Sequence, residues 1–170
     1  MRRKKIRGDL LLMNISIICV GKLKEKYLKE AIDEYSKRLS KFASLEITEI
    51  PDQKIPDKSN DKIDAQILEK EGTQILSKIK QDSFVIAMCI EGNLISSEDL
   101  ANKLSDITMT KSHITFIIGG SLGLSDEVKK RADFKMSFGR ITLPHQLMRV
   151  VLAEQIYRAF KINANESYHK

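Results

Sequence analysis

Residues able to do chemistry gather in the last third of the chain. A glycine turn, Ile118-Gly119-Gly120-Ser121-Leu122-Gly123-Leu124, is followed by Leu143-Pro144-His145-Gln146-Leu147-Met148-Arg149, and the sequence closes on Tyr168-His169-Lys170. Two of the three histidines fall in these segments, each near an arginine or a lysine. An imidazole can take up a proton while a neighbouring cation stabilises the negative charge left behind. Adjacent glycines let a ligand approach the backbone closely. The combination suggests a small-molecule site beside a polyanionic partner. The third histidine, His113, opens an apolar run without an evident partner and reads as structural.

Spacing refines the roles without deciding them. His145 and Arg149 are four residues apart and share a helical face with Leu152 and Ile156. In the first turn of a helix, His145 meets the positive end of the dipole, which disfavours an imidazolium and leaves a ring able to accept a proton. A hydrogen-bonded structural histidine is the plain alternative. Glu154 and Arg158 sit at i,i+4, where an ordinary ion pair explains them as well as catalysis does. The glycines at 119, 120 and 123 do not form GxGxxG and follow the fourth expected strand, so a dinucleotide site is disfavoured. Gly21-Lys22 lacks the rest of a phosphate loop.

The elements that must position these groups alternate. Asn14 to Val20, Leu45 to Ile50, Ser83 to Ile90, His113 to Ile118 and Phe134 to Phe138 are short apolar or alternating runs that predict strands. Between them, Lys24 to Phe42 and Ile63 to Ile79 carry apolar residues at helical spacing. Ser96-Ser97-Glu98-Asp99 has the form of a capping box, Ser125 caps a short helix through Arg131, and Pro144 opens the last helix. The expected fold class is α/β, a mainly parallel sheet flanked by helices. The last helix is apolar around most of its circumference, which predicts burial against its own sheet and against a second subunit.

At 170 residues the chain supports one core. The formal net charge is +6, but Arg2, Arg3, Lys4, Lys5 and Arg7 against Asp9 supply +4 of it before residue 13. Basicity of the body alone therefore does not establish a nucleic-acid partner. Residues 1–12 have a basic head, a very short apolar part and no cleavage site, so they read as a translated leader with Met13 as the natural start. Arg7-Gly8-Asp9 can be encoded by a purine run of the ribosome-binding type. Cys19 and Cys89 lie in apolar runs without metal-ligand spacing, which predicts buried thiols, a reducing cytoplasmic setting and no metal.

Taken together, Ile118-Gly119-Gly120 with Gly123-Leu124, Thr142-Leu143-Pro144-His145 with Arg149, Glu154-Gln155-Ile156-Tyr157-Arg158-Ala159 and the terminal Tyr168-His169-Lys170 resemble the RlmH family. Val20-Gly21-Lys22 and Glu69-Lys70-Glu71-Gly72 extend the resemblance over residues 13–170. These are SPOUT-class methyltransferases of N3 of a pseudouridine in 23S ribosomal RNA. The resemblance implies a single SPOUT domain over 13–170 and a C-terminal trefoil knot, an exception to the usual absence of threading. It implies S-adenosylmethionine held by Met88, Gly119, Gly120, Gly139, Arg140, Ile141, Thr142, Leu143 and Pro144. It also implies a homodimer through the last helix, with no membrane association, acting on the large subunit or assembled ribosome. Tyr168 and His169 become candidates to position the base or accept its proton, beside His145, with Arg149 and Arg158 placing RNA or stabilising charge. Gly139-Arg140-Ile141 departs from relatives, which often have serine first and methionine or leucine third. Two other readings stay open: a noncatalytic ribosome-binding or assembly protein retaining the fold, and a flavodoxin-like nucleotide-binding protein.

Overall fold

The computed structural model describes residues 12–168. The leader reading of residues 1–12, apart from Leu12, and the role given to His169 therefore fall outside the described residues. Five strands, β1 (Met13–Val20), β2 (Ala43–Ile50), β3 (Phe84–Leu94), β4 (His113–Ile118) and β5 (Phe134–Ser137), alternate with five helices. The helices are α1 (Lys26–Leu39), α2 (Asp61–Lys78), α3 (Ser97–Thr108), α4 (Asp126–Arg131) and α5 (His145–Asn163). Every strand pair is parallel, in the order β2-β1-β4-β3-β5. A flavodoxin-like sheet is ordered 2-1-3-4-5, so exchange of β3 and β4 removes that alternative.

Alternation along the strands divides the core. Ile15, Ile17 and Cys19 face α1, α3 and α5, packing with Leu39, Leu104, Leu152 and Ile156. Ile18 and Val20 face the other layer, with Ile75 of α2 and Val128 of α4. The capping box of α3 is present: Asp99 N–H donates to Ser96 Oγ and Ser96 N–H to Asp99 Oδ2, both at 3.0 Å. Gly72 lets α2 meet α4, since a Cβ there would lie 2.3 Å from Ser125 Oγ.

Two expectations are corrected, the burial of Cys89 and the end of the third strand at Ile90. Cys19 is buried and its thiol is pushed up to about 11 by desolvation, but Cys89 is only half-buried, at the point where β3 leaves the sheet. There β3 runs on past Ile90 to Leu94 because residues 89–92 bulge out: Met136 of β5 pairs with both Met88 and Asn93. A Cβ at Gly92 would stand 2.7 Å from the Met136 backbone, so glycine permits the strands to rejoin. The outer-face demand of α5 is partly met within the chain, since α5 lies between α1 and α3. Phe42 stacks on Phe160 with ring centroids 5.9 Å apart, and Ser97 Oγ donates to Gln155 Oε1 at 2.6 Å.

Candidate active site

The carboxyl ends of β3, β4 and β5 open onto one cavity of about 660 Å³. Its first wall is the glycine turn after β4, closed by Gly123 N–H donating to Gly120 O at 3.0 Å. A Cβ on Gly119 would fall 2.4 Å from Gly123 O, and Gly123 itself has φ +83°. The turn exists in this shape because neither position carries a side chain.

The second wall is the β5–α5 loop. Gly139, at φ +123°, is clamped by Ser137, whose Oγ accepts from Gly139 N–H and donates to Gly139 O, each at 3.1 Å. Ile141, Thr142, Leu143 and Pro144 continue along the cavity to His145. Pro144 is the residue before α5, and its carbonyl accepts from Met148 N–H at 2.9 Å. Proline's missing donor costs nothing there. The end of β3 completes the enclosure with Met88, Cys89 and Ile90. Lys129 pairs with Glu91 across the rim, and that hydrogen bond holds the Glu91 carboxyl below its usual value. The interior is therefore mostly main chain and apolar side chains.

The sequence-derived candidates separate into three groups. Met88, Gly119, Gly120, Gly139, Ile141, Thr142, Leu143, Pro144 and His145 all line the cavity. Arg140 lies in the same loop, exposed and outside the lining.

Arg149 is fully buried beside the cavity and serves the backbone. Its Nη2 donates to Val20 O at 3.1 Å and Gly21 O at 2.6 Å, and its Nη1 pairs with Glu49 at 2.9 Å. This fastens the end of β1 to α5. Gly21, at φ +89°, brings its Cα against the imidazole, since a Cβ would stand 3.2 Å from His145 Nε2.

Arg158, on α5, and Tyr168, packed against it, form the third group, outside the cavity lining. Glu154 accepts from Arg158 Nη2 at 2.6 Å and from Tyr168 O–H at 3.2 Å. The Tyr168 ring packs edge-on against Tyr157, centroids 4.9 Å apart, under the Arg158 guanidinium. Nine helical residues separate Glu154 from His145, about 13 Å at the helical rise. Tyr168 thus rests on the last helix rather than over the cavity.

Two carboxylates at the site were given no role from the sequence, although Glu71 lies in one of the segments that carry the resemblance. Glu49 is the counter-ion of Arg149 and also accepts from Leu23 N–H at 2.7 Å. Glu71, buried on α2, accepts from Gln53 N–H at 2.9 Å and lies beneath Gly120, where a Cβ would be 3.5 Å from its Oε2. Burial raises its pKa. The available signal was position: Glu71 stands four residues from both Ile67 and Ile75, within the apolar stripe of α2.

A five-stranded parallel sheet with its cavity walled by carboxyl-edge turns matches a known class. The family model described as "Predicted SPOUT methyltransferase" matches residues 13–169. The fold is similar to "a probable methylase family protein from Haemophilus influenzae Rd KW20", with TM-score 0.51 and 14% identity, covering 95% of this chain and 72% of that one. Ribosomal RNA large subunit methyltransferase H 1 of Clostridium perfringens (strain SM101 / Type A) is 60% identical over 159 residues, 93% of this chain and all of the relative. The H enzymes of Clostridium novyi and Lactobacillus acidophilus are 58% and 57% identical over the same shares. The chain belongs to the SPOUT methyltransferases and, within them, to the family these H enzymes make up. It is a methyltransferase.

Proposed function

We propose that the chain transfers a methyl group from S-adenosylmethionine to N3 of a pseudouridine in 23S ribosomal RNA. It acts as a cytoplasmic homodimer on the large subunit or assembled ribosome, and the path through β4, β5 and α5 forms the trefoil knot of its class. The cavity carries the reading. Its volume lies in the range of small-molecule sites, and its composition fits a nucleoside joined to an amino acid. Met88, Ile118, Leu124 and Met136 offer apolar surface to a base, while the main chain of Gly119, Gly120 and 139–144 offers polar edges. A side chain at Gly119 would displace the Gly123 backbone. When bound, S-adenosylmethionine supplies an activated methyl group on sulfur.

The chain's own part is positioning and proton removal. N3 of the base carries an imide proton that must leave before or as the nitrogen attacks. His145, on the cavity wall against Gly21, is one acceptor; His169 is the other candidate. Arg149 holds β1 to α5 and so sets the position of His145. Because Tyr168 is held at Glu154, six residues or about 9 Å along α5 from Met148 on the cavity wall, the tail serves a partner's cavity across a dimer packed on α5. The exposed Leu147 and incompletely covered Val150 and Val151 leave apolar surface there. No helix among the described residues is long and apolar enough to cross a membrane.

The test is methyl transfer from labelled S-adenosylmethionine to isolated 23S RNA, large subunits and ribosomes, with and without the pseudouridine. Transfer is expected on particles that carry it and not on those that lack it. A folded dimer that does not bind S-adenosylmethionine overturns the reading. Deleting residues 168–170 is expected to abolish transfer with cofactor binding retained; full transfer removes the tail from the mechanism.

A further inference from the structure

Net charge outside residues 1–12 is +2, yet Lys22, Lys24, Lys26 and Lys29 against Glu25 place +3 on residues 22–29, the β1–α1 connection and the first turn of α1, leaving the rest of the body at −1. That localised charge borders a second cleft of about 520 Å³, with Lys22 and Lys29 at its edge, Ile32 and Ile47 on its wall and Arg149 at its base. Of the two acids there, Glu49 is already engaged by Arg149 and by the Leu23 amide, leaving Asp33. Arg149, although buried, has an Nε without a hydrogen-bond partner.

The cleft also has a fixed relation to the cavity. β1 lies next to β4 in the sheet, so the two openings share the carboxyl edge, separated by the first turn of α5. That turn is tied to the lysine loop, with Lys24 N–H donating to Gln146 Oε1 at 3.1 Å, while His145 abuts Gly21. A strand whose target base occupies the cavity can run out along this edge into the cleft. Apolar surface beside two exposed ammonium groups suits a base with its phosphate.

We propose that this cleft binds a nucleotide of the RNA strand flanking the target, its phosphate between Lys22 and Lys29 and its base against Ile32 and Ile47. The proposal rests on the RNA-methyltransferase reading above. Its test uses the full chain with Lys22→Ala and Lys29→Ala together, and the paired arginine variant. Equilibrium binding to large ribosomal subunits is followed across a salt series, beside steady-state methylation.

For the alanine pair, Kd and KM for subunits are expected to rise about tenfold while kcat falls less than about twofold. S-adenosylmethionine affinity and melting temperature should match the unmodified chain, and the plot of log binding constant against log salt should lose about 0.7 units of slope, the share of one single-strand phosphate. Arginines should restore binding, since both cations meet phosphate. Unchanged Kd and salt slope overturn the cleft. Subunit binding without methylation by the unmodified chain overturns the activity reading instead, and the binding comparison still decides the cleft.

Discussion

Both ends of the parallel sheet bury polar side chains, but they spend them differently. At the amino end, His113 Nε2 meets Ser16 Oγ at 2.8 Å and Ser83 Oγ meets Thr115 Oγ1 at 2.6 Å, side chain to side chain across three adjacent strands. At the carboxyl end, Arg149 and Glu71 bond to the main chain of Val20, Gly21 and Gln53. The first arrangement seals the sheet. The second holds loops in conformations that leave cavities of 660 and 520 Å³ beside them. A buried histidine is therefore not in itself a site; a buried polar group that fixes irregular backbone is the stronger pointer.

The sharpest way to break this contrast is to remove the carboxyl-end fastening. Arg149→Met leaves two buried carbonyls without a donor and the solvent-facing Glu49 without its cation, and the expected loss is about 3 kcal/mol, chiefly from the two carbonyls. Ser83→Ala at the amino end removes one neutral hydrogen bond and should cost about 1 kcal/mol. Urea unfolding of both variants measures the difference. Equal losses would mean the two ends are held alike. Full stability of Arg149→Met with lost methylation would return Arg149 to a direct role in the reaction.

A smaller effect separates space from backbone strain within the glycine turn. Gly119→Ala forces a Cβ onto the Gly123 carbonyl, an overpacking worth about 2 kcal/mol, and should weaken S-adenosylmethionine binding at least tenfold. Gly123→Ala meets nothing within 4 Å and suffers only its positive φ, about 1 kcal/mol. Calorimetric titration with S-adenosylmethionine alongside thermal unfolding reads both. If Gly123→Ala weakens binding more than Gly119→Ala, close backbone approach is not what shapes the wall.

These residues also mark how far sequence alone reaches. Strand and helix order follows from apolar spacing, and His113–Ile118 is bounded by clear breaks on both sides. The lining from Gly139 to His145 is contiguous, so recognising one part recovers the rest apart from Arg140. Glu49 and Glu71 could not be placed that way. Their partners, Arg149 and the Gln53 amide, lie 100 and 18 residues away, and only the folded sheet brings them together. The β3 bulge was equally hidden, since Glu91-Gly92-Asn93 has the composition of a turn but returns to pair with β5. Tyr168 shows the converse: a terminal tyrosine looks frayed by position, yet Glu154, Tyr157 and Arg158 give it three contacts.

The finest distinction between the two ends is the sign of their response to pH. His113 is held below its ordinary value of 6.5, chiefly by burial and then by the charge of Lys80, with Glu46 opposing. The unfolded chain therefore takes up a proton before the folded one does. Stability from this group is full above pH 6.5 and is lost as pH falls through the folded value. Glu71 behaves in the opposite sense. Its carboxyl is held above the ordinary 4.5 by burial and by Asp52, against the Gln53 amide and His145, so its contribution is full below pH 4.5 and is lost as pH rises through the folded value. Denaturant midpoints measured across pH for His113→Gln and Glu71→Gln should accordingly diverge from the unmodified chain in opposite directions. The first should lose the acid-side decline below pH 6.5, the second the decline above pH 4.5, with slopes no steeper than about 1.4 kcal/mol per pH unit for one proton. Parallel curves for the two variants would show that burial at the two ends acts on charge alike.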